Sequence, residues 1–134
     1  MCRAYAALDL PPIVRITAPD PYQACMVLDG GAAGVVAPYV ETAEEVRRLA
    51  GAVKYRPLKG RSLRNVLDGK GFPEGRTEAY LARNNAGSVL IVNIESTPAI
   101  ENLDDAFESA RRRGPSAVTS GWIERRKVLK RLKS

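Results

Sequence analysis

The chain has 134 residues, of which 45% are hydrophobic and 27% charged, a composition that predicts one globular domain. Its net charge of +6 is unevenly placed, because residues 1–110 carry 12 basic and 14 acidic side chains, whereas residues 111–134 carry nine Lys or Arg and one acid. The sequence has no run of roughly 18 apolar residues, so no membrane span is expected. It also has no histidine, which excludes Ser–His and Cys–His nucleophile pairs and any His-ligated metal within the chain.

The first half of the chain predicts alternating helices and strands. A weak helical pattern over residues 1–10 ends at Pro11-Pro12, and residues 13–16 are predicted to form a short strand. Asp20 then caps a helix that stops at Gly30-Gly31. The next apolar run is predicted to be a second parallel-type strand.

That second strand covers residues 34–38, and a capping box formed by Thr42 and Glu45 starts the helix after it. Residues 54–75 are predicted to be a long loop of mixed charge and glycine, followed by a helix at about residues 76–83. Strands that alternate with helices in this order indicate right-handed βαβ units and a parallel α/β sheet.

A third strand is predicted for residues 89–95, since a continuous apolar run is typical of a strand buried on both faces. A helix start follows at once, with Thr97 as the predicted cap and Pro98 at the first helical position. Glu95 therefore lies where a parallel strand ends and a helix begins, which is the edge at which ligands bind in parallel α/β folds.

Two charged residues are predicted to share this edge. Arg15 ends the first strand and Glu95 the third, and Asn93 alternates with Glu95, so that both face the same side. Two interpretations remain open. Glu95 either caps a helix or pairs with Arg15, or it binds a divalent metal through its oxygens while Arg15 holds an anionic substrate.

The ordered set of segments around these residues resembles the HpcH/HpaI aldolase and citrate lyase family of phosphoenolpyruvate/pyruvate enzymes. The resemblance covers roughly residues 11–104. The segments that carry it are Ile13-Val14-Arg15-Ile16 with Asp20-Pro21-Tyr22, Gly30-Gly31-Ala32-Ala33-Gly34-Val35-Val36-Ala37-Pro38-Tyr39-Val40-Glu41-Thr42-Ala43-Glu44-Glu45, and Val92-Asn93-Ile94-Glu95-Ser96 with Ala99-Ile100-Glu101-Asn102-Leu103.

The resemblance implies a (β/α)8 TIM barrel that cleaves or forms carbon–carbon bonds through a pyruvate enolate held on Mg²⁺ or Mn²⁺. It implies that Glu95 is a metal ligand, that Arg15 is catalytic and binds substrate beside the reacting oxygen, and that Asn93 binds substrate next to the metal. Tyr39 matches the end of the barrel strand that follows the strand of Arg15, and the resemblance implies no definite role for it.

Two features of the family pattern are missing from this chain. No Gly-Pro-x-Asp-Leu-like segment, whose Asp completes the metal site, follows Asp104, and no His-bearing strand precedes residue 13. The chain is therefore expected to be an incomplete barrel, a partial domain over residues 1–110 that lacks both ends. A lone carboxylate binds Mg²⁺ weakly, so that the chain alone is expected to be weakly active or inactive.

Residues 111–134 are predicted to form a helical basic tail. Trp122, Leu129 and Leu132 have helical spacing among lysines and arginines, a pattern that suits a nucleic-acid backbone, an acidic membrane surface, a partner groove or a solvated chain end. The acidic body and the lack of a recognised nucleic-acid-binding motif argue against a nucleic-acid role.

The resemblance thus implies a lyase of the divalent-metal pyruvate-aldolase type with a small 2-oxo acid as its substrate. The alternative is a non-enzymatic α/β remnant or interaction module with a basic tail. The exposed edges of an unclosed parallel sheet favour a homo-oligomer. Two cysteines without metal-like spacing favour a reducing, cytoplasmic location.

Overall fold

The computed structural model describes residues 1–75 and 77–111, which form a three-stranded parallel sheet with helices between its strands. The strands are β1 (Ile13–Arg15), β2 (Gly34–Ala37) and β3 (Val89–Val92), and their order in the sheet is β1-β2-β3. The parallel register pairs Arg15 with Val36 and Ala37 with Val92. The predicted parallel α/β arrangement is therefore confirmed.

Seven helices surround the strands in the described part of the chain. They are α1 (Cys2–Ala7), α2 (Pro21–Asp29), α3 (Ala43–Lys54), α4 (Gly60–Leu67), α5 (Glu78–Asn84), α6 (Thr97–Glu101) and α7 (Leu103–Arg111). None of the helices in residues 1–75 and 77–111 combines the length and the apolar character that a bilayer crossing requires.

The main core lies on one face of the sheet, where α2 and α3 pack against it. Val35 and Ala37 of β2 point to this face together with Leu90 of β3, because residues two apart on a strand share a side. The helices contribute buried apolar side chains at helical spacing, namely Ala24, Leu28, Val46, Leu49, Ala50 and Val53.

The prediction of a continuous loop over residues 54–75 is wrong, because α4 lies within it. Leu63, Val66 and Leu67 recur at helical spacing along α4 and are buried in a second core cluster with Tyr55. Burial of this apolar stripe stabilises a short helix that begins with Gly60 and ends two residues before Gly69.

The caps of three helices test the sequence predictions at single positions. The Asp20 carboxylate accepts the Tyr22 N–H at 2.9 Å, and the Thr42–Glu45 capping box is formed, so both predictions are confirmed. The predicted cap Thr97 is wrong, since the Oγ of Ser96 accepts the Ala99 N–H and Thr97 is the first residue of α6.

The strands are shorter than predicted at the edge that carries the polar residues. β2 ends at Ala37 because Pro38 has no N–H for the ladder, and β3 ends at Val92, so that Asn93 and Glu95 lie in the loop after it. The predicted domain boundary between residues 110 and 111 falls within the last turn of α7, and residues 112–134 of the predicted helical tail lie outside the described residues.

Candidate functional site

Three loops leave the carboxyl ends of the parallel strands and meet at one edge of the sheet, called here the rim. Arg15 ends β1, Tyr39 follows β2, and Asn93 and Glu95 follow β3. Because β2 is the central strand, Tyr39 lies between the loops that carry Arg15 and Glu95. The rim therefore brings together all three residues that the sequence predicted.

Glu95 is held by two hydrogen bonds. Its Oε2 accepts the backbone N–H of Tyr39 at 3.1 Å, and its Oε1 accepts the Nδ2 of Asn93 at 3.3 Å. The side chain is exposed, and the cap of the following helix is Ser96 rather than Glu95. The interpretation of Glu95 as a helix cap is therefore wrong, and Glu95 is a carboxylate fixed in orientation at an open edge.

Arg15 lies against an aromatic ring rather than against a carboxylate. Its Cζ is 5.6 Å from the centroid of the Tyr39 ring, which is cation–π geometry. Within residues 1–75 and 77–111, no ion pair joins Arg15 to Glu95. The Arg15–Glu95 ion pair, one of the interpretations left open above, is therefore not formed, and both charges face solvent.

Tyr39 is the residue at the rim for which the sequence analysis predicts no definite role. Its backbone has a φ of 55°, in the left-handed region that bulky residues seldom adopt. The only sequence signal for it is its place directly after Pro38, at the end of the central strand. A tyrosine at this position does not by itself predict a left-handed backbone.

A second carboxylate near the rim already has a structural partner. Oε1 of Glu41 accepts the hydroxyl of Ser96 at 2.6 Å, and the backbone carbonyl of Glu41 accepts the Nδ2 of Asn102 at 3.0 Å. These bonds join the loop after β2 to α6. Glu41 therefore helps to fix the geometry of the rim.

The oxygens of Glu95 suit a hard divalent cation but supply only one side chain to it. A carboxylate has about four acceptor positions, and the two observed hydrogen bonds leave capacity for a metal. No group of three or more His, Cys, Asp or Glu that could hold a metal occurs in the described residues. The donor set therefore fits a site in which substrate, water or residues outside this set supply the other ligands.

The remaining nucleophile candidate in the described core is unsuited to catalysis. Cys25 is buried on α2, and burial raises the pKa of its thiol, with smaller effects of both signs from neighbouring charges. A thiol held in its protonated form is a poor nucleophile.

Comparison with known proteins places the chain in one family. The sequence model of the HpcH/HpaI aldolase/citrate lyase family matches residues 2–114. The chain belongs to this family. It is 34% identical over 97 residues to a 2-keto-3-deoxy-L-rhamnonate aldolase of Salmonella gallinarum, a match that covers 72% of this chain and 36% of that protein. The corresponding aldolase of Salmonella paratyphi B is 38% identical over 82 residues, which cover 61% of this chain and 30% of that protein.

Solved structures of the family share the fold. An HpcH/HpaI aldolase from Desulfitobacterium hafniense superposes with a TM-score of 0.58 at 21% identity, over 87% of this chain and 42% of that one. A family protein from Burkholderia cenocepacia superposes with a TM-score of 0.56 at 21% identity, over 97% of this chain and 57% of that one. The chain thus spans about a third of the length of the curated relatives, 36% and 30%.

Proposed function

We propose that the chain supplies consecutive βα units of a (β/α)8 barrel and that its rim is part of a divalent-metal carbon–carbon lyase site for small 2-oxo acids such as pyruvate. The parallel strand order and the aldolase relatives support this proposal. The observation that carries it is the meeting of Arg15, Asn93 and Glu95 at the carboxyl ends of the strands, the face on which TIM-barrel enzymes bind substrate.

Each rim residue has a distinct proposed role. Glu95 would hold Mg²⁺ or Mn²⁺ through its exposed carboxylate, and that ion, when bound, would act as a Lewis acid toward negative charge on the substrate. Arg15 would bind the carboxylate or keto oxygen of the 2-oxo acid with its guanidinium and stabilise charge that develops there. Asn93 would orient Glu95 with its Nδ2 and offer its Oδ1 to substrate.

The proposed site is incomplete within the described residues, since Glu95 is the one carboxylate among them that we assign to the metal. We therefore expect the chain alone to be a weak or inactive aldolase. An assay with pyruvate, an aldehyde and Mn²⁺ measures this directly. Turnover on the order of 1 s⁻¹ or more, within the range of ordinary enzymes, would contradict this expectation.

Metal binding tests the role of Glu95 without requiring turnover. Mn²⁺ is titrated into the chain with and without pyruvate, and the Glu95→Ala variant is compared with Glu74→Ala, which removes an exposed carboxylate from the loop between α4 and α5. Weaker binding by Glu95→Ala alone is the expected result. Equal binding by all three proteins would overturn the metal site.

A second candidate function is that of a non-enzymatic interaction module. The half-exposed second face of the sheet favours it, because such a face suits association with another protein surface. In this proposal residues 1–110 form the folded body and residues 111–134 a basic tail, the protein is cytoplasmic and it self-associates. A gel shift at about 50 mM salt tests the tail, and no nucleic-acid binding is expected there.

A further inference from the structure

We infer that Tyr39 is the positioning residue of the rim, since its backbone orients Glu95 and its ring keeps Arg15 apart from Glu95. The inference rests on the proposed function, because it matters only if Glu95 and Arg15 bind ligands. Two independent contacts of Tyr39 carry it, one on each side of the central strand.

The backbone contact depends on an uncommon conformation. At a φ of 55°, the N–H of Tyr39 points to Oε2 of Glu95, in the loop of the neighbouring strand, at 3.1 Å. Pro38 ends the ladder just before this residue, so the Tyr39 N–H is available for that bond. Strained left-handed residues persist where the surrounding structure fixes them and cluster at functional sites.

The two loops are also fixed relative to each other through the main chain. The N–H of Asn93 donates to the carbonyl of Ala37 at 2.9 Å, one residue beyond the paired ends of β2 and β3. Tyr39 and Glu95 are each two residues further along their loops. The Tyr39–Glu95 bond therefore extends an existing backbone connection and holds the carboxylate in one direction.

The ring contact lies on the other side of Tyr39. The guanidinium of Arg15 stacks near the ring, and in the described part of the chain it makes no ion pair with Glu95. An arginine free to approach a carboxylate forms a charge-assisted and often bidentate pair. Such a pair would occupy Glu95 and Arg15 together, and neither would remain available to a metal or an anionic substrate.

If the Tyr39 ring keeps Arg15 apart from Glu95, the effect of removing the ring should depend on the charge of Arg15. Loss of the Tyr39 ring should weaken metal binding at Glu95 only while the charge of Arg15 is present. Tyr39→Gly is the sharpest change, because glycine keeps the N–H and adopts a positive φ at no steric cost. Tyr39→Asn is a second ring-free variant, since asparagine also tolerates this conformation.

The experiment uses the full 134-residue chain and Mn²⁺ as the probe. Paramagnetic broadening of the amide signals of Glu95 and Asn93 is followed by NMR as Mn²⁺ is added. Tyr39→Phe should behave as wild type, whereas Tyr39→Gly and Tyr39→Asn should need about tenfold more Mn²⁺, the lower end of the loss seen when residues that support metal ligands are removed. Tyr80→Ala, which removes an exposed tyrosine on α5, is the matched control.

The double variant Tyr39→Gly with Arg15→Met should return the Mn²⁺ dependence close to that of wild type. In the metal-free chain, the Nε–H signal of Arg15 should differ between Tyr39→Gly and the double variant Tyr39→Gly with Glu95→Ala, because both lack the Tyr39 ring and only the first can form the ion pair. Thermal unfolding of each variant shows that the fold is retained, a readout separate from metal binding.

The outcomes separate this inference from the proposed function. If Glu95→Ala abolishes the broadening and both ring-free variants bind like wild type, Tyr39 has no positioning role and the proposed function stands. If the double variant with Arg15→Met stays as weak as Tyr39→Gly, the separation of Arg15 from Glu95 is overturned. If Glu95→Ala changes nothing, the proposed metal site and the role of Tyr39 fall together.

Discussion

Asn85 shows how much of the fold depends on one buried polar residue away from the rim. It is 1% exposed, and its Nδ2 lies within hydrogen-bond distance of three backbone carbonyls, those of Lys54, Arg56 and Leu81. These carbonyls belong to the end of α3, the loop after it and α5. Asn85 therefore joins three segments that precede β3 and set where that strand begins.

The Asn85→Ala substitution should lower the free energy of unfolding by about 1–3 kcal/mol, because it leaves buried carbonyls without a donor. Urea unfolding measures the change. Asn84→Ala, at the exposed neighbouring position on α5, is the control and should stay within about 0.5 kcal/mol of wild type. Equal effects of the two substitutions would show that these hydrogen bonds do not stabilise the fold.

Lys54 is a buried charge at the end of α3, and it gives stability a dependence on pH. Its Nζ donates to the carbonyl of Ser88 at 2.8 Å, and burial lowers the pKa of Lys54 from the usual lysine value of 10.5. The unfolded chain therefore binds this proton more tightly than the folded protein. Stability rises with pH from the lowered pKa up to 10.5, where the unfolded chain also loses the proton.

The Lys54→Met variant removes this titration. The measured quantity is the free energy of unfolding of wild type minus that of Lys54→Met. This difference should be constant near neutral pH and should grow as the pH is raised toward 10.5. Urea unfolding at several alkaline pH values measures it. Lys70→Met, at an exposed lysine, is the control, and a difference for Lys54→Met that does not change with pH would contradict the effect of burial.

Among the elements, α3 links the most parts of the fold. It contacts α2, α4, α7 and β3, and its buried residues contribute to both core clusters. Its first turn is fixed by the capping box, in which the Oγ1 of Thr42 accepts the Glu45 N–H at 3.2 Å and Oε2 of Glu45 accepts the Thr42 N–H at 3.0 Å. The loop that carries Tyr39 leads directly into this turn.

The Thr42→Ala substitution should therefore destabilise the protein by about 1 kcal/mol, the usual contribution of a helix cap. Thr97→Ala is the matched control, since Thr97 is exposed and Ser96 caps α6 in its place. Thermal unfolding compares the two variants. A larger loss in Thr97→Ala than in Thr42→Ala would contradict the observed assignment of caps.

Sequence patterns predicted those elements whose signals are local. The capping box, the Asp20 cap and the alternation of apolar strands with helices depend on neighbouring residues, and all are confirmed. α4 was missed because its apolar stripe is short and glycines surround it, so that burial against Tyr55 decides the conformation. A helix of this length gains most of its stability from tertiary packing.

At the rim, the sequence predicted which residues meet but not how they are held. Arg15, Asn93 and Glu95 were found because the carboxyl ends of parallel strands share one edge. The left-handed backbone of Tyr39 was not predicted, because it depends on contacts with two neighbouring loops rather than on residue type. The predicted end of β3 lay too far along the chain, because β2 ends at Ala37, before Pro38, and the pairing of β3 therefore stops at Val92.

For the molecule as a whole, the two faces of the sheet differ. One face is covered by α2 and α3, whereas Ile13 and Arg15, with the residues in register with them on β2 and β3, point to the other face. Ile13 is 51% exposed on the edge strand β1, and Leu8 and Leu10 just before it are 70% and 58% exposed. An apolar edge of this kind favours pairing with a second chain.

Self-association is therefore expected to depend on the β1 edge. Ile13→Lys should shift the chain toward monomer, because a lysine on an edge strand opposes strand pairing. Sedimentation velocity over a range of concentrations measures the distribution of species. Met26→Lys, which places the same charge at a 55% exposed apolar position on α2, is the control and should associate like wild type. Equal dissociation by both variants would assign the effect to net charge, and a wild-type chain that stays monomeric at all concentrations would rule out the homo-oligomer.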